Sequence, residues 1–181
     1  MPCSDRILVV LRHAKSSWST GLPDHERPLS TRGRRDGVAA GEWLATRGIV
    51  PDKVIVSTAE RTRQTLARVL AGGARVGRVE HLREIYDADE HDLLELVQAS
   101  DNAVHTLMVI GHNPSLESFV RLLARRVGNH EWWASMDTKF PTSAIAVIGF
   151  DGDWQDVEPG VGALLHYAVP RGARPATTVN Q

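Results

Sequence analysis

Cysteine is almost missing from this chain: among 181 residues there is one, Cys3. A lone thiol excludes an internal disulfide framework and fits a reducing compartment. Charge of one sign is also lacking. The formal net charge is -1, with arginines dispersed among acids, so no field steers the chain onto nucleic acid or an anionic membrane. No apolar run approaches the roughly 20 residues that a membrane span needs. The opening MPCSDRILVV is too short and too soon interrupted for a signal peptide, so a cytoplasmic protein is expected. The chain holds eight histidines, yet neither HExxH nor HxH occurs, and the P-loop pattern GxxxxGK[ST] is absent. Nucleotide hydrolysis on a P-loop is therefore disfavoured, and no metal cofactor is expected.

What is present is ordinary globular composition, 42% hydrophobic and 24% charged, in a length that suits one domain with a sizeable core. No internal repeat or second domain is visible. A single domain is expected over 1–169, with a disordered tail over 170–181, where RGARPATTVNQ carries no apolar pattern. Ile7 to Leu11 is a continuous apolar run of the kind buried on both faces of a parallel sheet. Further strands are read at Lys53 to Ser57, around Val76 to Val79, and at Thr106 to Ile110. A late antiparallel pair is read at Ala144 to Phe150 and Gly162 to Val169, around the turn Asp151-Gly152-Asp153. Helices are read from a Ser30 or Thr31 cap to about Arg47, over Glu60 to Ala71, over 89–100 and over Ser115 to Val127. Residues 14–30 and 128–141 read as loops, with the adjacent Trp132 and Trp133 expected to pack into the core. The alternation predicts a three-layer α/β/α sandwich around a mostly parallel sheet.

The informative coincidence lies at the strand ends. Three central-looking strands finish in groups able to hold an anion: Arg12-His13, Ser57 leading to Arg61, and Gly111-His112. In an open α/β sheet those ends share one edge, the edge at which ligands bind. Arginine offers forked donors that match phosphate geometry, and a neutral histidine can attack phosphorus. Phosphoryl transfer asks mainly for positioning and charge neutralisation, which such a set supplies without metal.

These residues also carry a family resemblance. Arg12-His13-Ala14-Lys15-Ser16-Ser17-Trp18 resembles the RHGxSxW signature of the histidine phosphatase superfamily, the phosphoglycerate-mutase-like enzymes. Asp24 with Arg27-Pro28-Leu29-Ser30 and Gly33 resembles its DxxPLTxxG segment, and Ser57 with Arg61, Gln64 and Thr65 its SxxxRAxQT segment. Gly111-His112 resembles the segment bearing the second histidine. Four motifs fall in order across most of the chain. The resemblance implies a phosphoglycerate-mutase-like fold, with His13 as nucleophile and Arg12, Arg61 and His112 forming the phosphate pocket. It further implies Ser16 bonding near the phosphoryl group or the nucleophile, and Glu84 as proton donor to the leaving oxygen. Two departures stand out: Ala14 replaces the usual glycine, and Ser19 stands where mutases keep asparagine.

The chain shows no long insertion between the second strand and Glu84 that could fold as a lid. With its RHAKSSW and GHNP segments it is similar to SixA-type phosphohistidine phosphatases. A metal-independent phosphatase is thus expected, working through phospho-His13 on a phosphorylated protein. The alternatives are a small-molecule phosphomonoesterase or mutase, and a phosphate-binding module whose catalysis has decayed.

Overall fold

Strand β1 (Arg6–Arg12) runs through the middle of a six-stranded sheet, in a computed structural model that describes residues 4–19 and 21–173. The other strands are β2 (Lys53–Ser57), β3 (Arg78–Leu82), β4 (Thr106–Gly111), β5 (Ile145–Phe150) and β6 (Ala163–Ala168). Their order across the sheet is β3-β2-β4-β1-β5-β6; the first four run parallel, and β5 and β6 form the expected antiparallel pair beyond β1.

Alternation along β1 feeds two cores. Leu8 and Val10 face one layer, built by α3 (Glu90–Gln98), α4 (Ser115–Leu123) and α5 (His130–Thr138) through Leu93, Val97, Phe119, Leu123, Trp133 and Met136. Val9 and Leu11 face the other, built by α1 (Thr31–Thr46) and α2 (Glu60–Ala71) through Ala40, Leu44, Leu66 and Val69. With helices on both faces, the inner strands are apolar on both sides, as the run at Ile7 to Leu11 predicts. The chain leaves β1 for α1 on one face and leaves β4 for α4 on the other. The crevice between these neighbouring strands is the topological switch point of the sheet.

Local chemistry sets the helix ends. Ser30 caps α1, its Oγ accepting from Gly33 N at 3.1 Å and donating to Lys15 O at 3.0 Å. Gly33 is required there: a Cβ would collide with the Lys15 carbonyl oxygen, so the helix start presses directly on the chain following His13. Asp89 and Asp92 form a capping box at α3.

The structure differs from the sequence reading in four places. Residues 128–141 are not all irregular: α5 forms behind Asn129, whose Oδ1 accepts from the amides of Glu131 and Trp132. Helix α4 stops at Leu123, short of Val127, because the amides of Gly162 and Arg125 pair with Leu123 O (2.9 Å) and Gly162 O (2.8 Å) and draw the chain into an extended bridge. Strand β3 is later than Val76 to Val79, because Gly77 N is spent on Pro51 O and pairing with β2 starts at Arg78. Of the tail, residues 170–173 are described, with Arg171 and Gly172 bonded to the buried Asp36; the remainder lies outside the described residues. Trp133 is buried, with Nε1 donating to Val127 O, and Trp132 is half-buried against the same core. Among the described residues no helix is long and apolar enough to cross a membrane.

Candidate active site

The ends of β1, β2 and β4 meet as the sequence predicts. Arg12 lies opposite Gly111 in the β1–β4 register, and His13 N donates to Gly111 O at 3.0 Å. The rings of His13 and His112 then lie 5.2 Å apart, both buried.

His13 has a determined tautomer. Its Nδ1 lies 2.8 Å from Ala14 O, and a carbonyl can only accept, so Nδ1 carries the hydrogen and Nε2 keeps its lone pair. Burial pushes the imidazolium down to about 3; the cations Arg61, Arg12 and Arg27 add to that, and the Ala14 carbonyl partly opposes it. His112 is pushed down to about 2, first by burial and then by His13 and Arg61. Both rings are therefore neutral at pH 7. Ser57 Oγ lies 2.9 Å from His112 Nε2, while His112 Nδ1 is buried without a partner.

The arginines are held at one edge and unpaired at the other. Arg12 Nη1 donates to Phe140 O at 2.7 Å, and its Nε is buried without a partner. Arg61, in the first turn of α2, donates from Nη1 to Asp24 O at 2.6 Å and from Nη2 to Asp24 Oδ2 at 3.0 Å; its Nε is also buried without a partner. Three nitrogens on three neighbouring residues (the donors Arg12 Nε and Arg61 Nε, and His112 Nδ1, a donor when Ser57 donates to Nε2) thus stand unsatisfied in the interior, a costly arrangement that a bound oxyanion would relieve.

Thr65 joins two sides of the pocket. Its Oγ1 accepts from Ala14 N at 2.9 Å and donates to Arg61 O at 2.6 Å. Gln64 Oε1 accepts from Leu29 N at 2.8 Å, which ties α2 to the 14–30 segment. Ser16 is buried and bonds Arg27 Nη1 at 3.2 Å, while the Arg27 guanidinium lies over the exposed Trp18 ring at 3.6 Å. Ser19 Oγ lies 2.9 Å from Ser17 Oγ.

Arg12, His13, Arg61 and His112 are brought together, and Ser16 joins them through Arg27 and Asp24. Glu84 is not drawn into this network. It opens a short 3-10 turn (Glu84–Tyr86), is exposed, and lines a cavity beside α3 with Asp87, Asp92 and Glu95. Two residues later the same turn supplies Tyr86, which sequence reasoning did not single out. Tyr86 OH donates to Asp24 Oδ2 at 2.6 Å, and its ring meets His112 edge-on at 5.3 Å and His25 at 4.8 Å. Asp24, Arg27 and Arg61 were visible as motif residues; Tyr86, and the bonds that join all four side chains, were not. Among the described residues no group of three or more His, Cys, Asp or Glu is placed to hold a metal ion.

A buried neutral histidine with a free Nε2 thus stands beside two arginines with unused donors. Residues 8–127 match the family model "Histidine phosphatase superfamily (branch 1)". The chain belongs to the histidine phosphatase superfamily. It is 40% identical over 163 residues to the uncharacterised protein Rv1276c of Mycobacterium tuberculosis, covering 89% of this chain and 100% of that protein. Among solved structures it is similar to one from Nakamurella multipartitia assigned as a phosphohistidine phosphatase SixA. That match has 30% identity and a TM-score of 0.80, and covers 94% of this chain and 99% of the other. The protein histidine phosphatase SixA complexed with tungstate shares the fold at 24% identity and a TM-score of 0.74, over 91% and 97% of the two chains.

Proposed function

We propose that this phosphatase hydrolyses phosphohistidine in proteins, through a covalent phosphohistidine formed on His13 and without a metal. The observation that carries this reading is the neutral, buried His13, with Nδ1–H fixed on the Ala14 carbonyl and Nε2 left as nucleophile. Nε2 attacks phosphorus while the P–N bond breaks, its electron pair staying on the leaving nitrogen; a proton already on the other ring nitrogen of the substrate lets that ring depart as neutral imidazole. The equatorial oxygens take the unused donors of Arg12 and Arg61, the start of α2 adds its partial positive charge, and His112 donates from Nδ1 once Ser57 hydrogen-bonds to Nε2. Water then attacks phospho-His13, releasing inorganic phosphate and restoring the imidazole.

The leaving group supports a phosphoramidate over an alkyl ester. Imidazole is a much better leaving group than an alkoxide and has less need of a strong acid. The carboxylate bonded to Arg61, that of Asp24, is held well below the usual range, first by the Tyr86 hydroxyl and then by Arg27 and Arg61, so it carries no proton to give. Tyr86 is pushed up by the same bond and keeps its proton. Glu84 remains the proposed donor if an ester is the substrate, which would require its exposed side chain to swing inward from the 84–86 turn that Ile85 anchors in the core. The segment between β2 and Glu84 contains only α2 and β3, which suits a bulky protein substrate. The neighbour assigned as a phosphohistidine phosphatase points the same way, and the single cysteine fits a cytoplasmic setting.

The test is release of phosphate from a phosphohistidine protein, beside a generic aryl phosphate and with EDTA present, by wild type and His13→Ala. Turnover of the phosphohistidine protein by wild type alone is expected, with His13→Ala slower by at least about a thousandfold. Turnover of aryl phosphate only would assign the chain to small esters. Activity lost to EDTA, or surviving in His13→Ala, would sink the mechanism.

A further inference from the structure

Asp24 is the most heavily bonded acidic side chain near the phosphate pocket, and its bonds all point toward one task. Its Oδ2 accepts from Arg61 Nη2 (3.0 Å) and Tyr86 OH (2.6 Å), and its backbone carbonyl accepts from Arg61 Nη1 (2.6 Å). Its Oδ1 accepts from Arg27, at 2.9 Å from Nε and 2.7 Å from Nη2. Asp24 therefore grips Arg61 at the two terminal nitrogens and leaves the Nε side of the guanidinium without a partner. A planar guanidinium can serve one anion end-on and a second side-on, through Nε and the inner hydrogen of one Nη.

We propose that Asp24 is a positioning residue, which fixes Arg61 so that its Nε edge is the one presented to the phosphoryl group. Resting on the reading of Arg61 as a phosphate ligand, this adds a residue that never touches the substrate and sets how tightly it is held. Arg27 and Tyr86 brace Asp24 from the sides away from Arg61, and Arg27 also bonds Ser16, next in line after the His13 segment. The opposing reading is an internal competitor, in which the Asp24 carboxylate occupies Arg61 and phosphate must evict it. The two readings predict opposite signs.

The experiment is a double-mutant cycle read by calorimetric titration of inorganic phosphate, in the His13→Ala protein so that no turnover intervenes. Asp24→Asn, which keeps the shape and loses the charge, is expected to weaken phosphate binding by about tenfold. In a background that also carries Arg61→Lys, where no fork remains to be oriented, the same change is expected to cost less than about twofold. Tyr86→Phe removes one brace only and is the gentler variant should Asp24→Asn fold poorly. Its expected loss is about threefold, also vanishing with Arg61→Lys. Tighter phosphate binding by Asp24→Asn would overturn the proposal in favour of competition. An equal loss with and without Arg61→Lys would overturn it by reducing Asp24 to a loop support. If His13→Ala itself binds no phosphate while wild type turns over no substrate, the phosphatase reading falls and takes this inference with it. If wild type is active and the cycle shows no coupling, only the inference falls.

Discussion

Strand β1 carries an arginine at each end, and the two are treated in opposite ways. At the amino end, buried Arg6 meets a carboxylate: Nη2 donates to Asp153 Oδ1 and to Asn102 O, both at 3.1 Å, while Nη1 donates to Asp5 O at 3.0 Å. At the carboxyl end, Arg12 meets one carbonyl, that of Phe140, and among the described residues no carboxylate lies within salt-bridge distance of it. Burial pulls the Arg12 guanidinium down from its ordinary value, with Glu117 opposing from a distance. Removing a charge from water is offset at Arg6 by a carboxylate, although its Nε is buried without a partner like that of Arg12, whereas Arg12 has no carboxylate beside it among the described residues. Two like residues at the ends of one strand thus stand in different surroundings, and in the proposed function the second is the one left for phosphate.

Exchange of each arginine for methionine sharpens that contrast most. Arg12→Met is expected to cut turnover by about a hundredfold to a thousandfold with an unchanged melting temperature, because it removes transition-state charge and no native ion pair. Arg6→Met is expected to do the reverse: a loss of about 2 kcal/mol in urea denaturation, from the stranded acceptors and lost pair, with turnover close to that of wild type. A large activity loss in Arg6→Met, or a large stability loss in Arg12→Met, would break the comparison.

Next in size is an acid response to which the two histidines of the carboxyl edge contribute most, with His166 on β6 also held down by burial. His13 and His112 have folded-state values of about 3 and about 2, against about 6.5 in an unfolded chain. Between those limits the unfolded state takes up protons that the folded state refuses, so stability falls as pH falls below about 6.5, by about 1.4 kcal/mol per pH unit for each ring. His112→Asn is expected to flatten the slope of unfolding free energy between pH 6.5 and 4.5, and an unaltered slope would show that the acid response originates elsewhere. The smallest effect is expected from Ser30→Ala, about 1 kcal/mol for the lost cap. It should come with a several-fold drop in turnover, because the same hydroxyl holds Lys15 O beside the nucleophile. Melting curves and single-turnover rates read both together.

The cations and histidines of the pocket were legible because Arg12, His13 and His112 stand at the end of a strand with an unmistakable apolar signal and Arg61 four residues beyond one. β1, β2 and β4 announce their own ends, and whatever comes next must stand at the sheet edge. Asp24 and Tyr86 were not legible in that way. Their sequence separation is 62 residues, each lies in a short turn without periodicity, and only the folded chain shows that their side chains meet. Glu84 illustrates the converse: the resemblance implies it as proton donor, yet a 3-10 turn rotates successive side chains by about a third of a turn, and Tyr86 is the one that reaches the pocket. Helix α5 escaped because nine residues with mixed polarity carry little periodic signal, although Asn129 was there to cap it. The early end of α4 depended on Gly162, a partner 39 positions beyond Leu123, and no local pattern reports that.

Thr65 has a further meaning. From Ala14 N through Thr65 Oγ1 to Arg61 O runs a one-way relay in which a hydroxyl spends its only hydrogen on one side and a lone pair on the other. The gap between the nucleophile's segment and the arginine's helix is thereby gauged by a single side chain. Serine could keep that gauge. Valine, of nearly the same shape, would leave an amide and a carbonyl facing a methyl group, and the two walls of the pocket would lose their common reference.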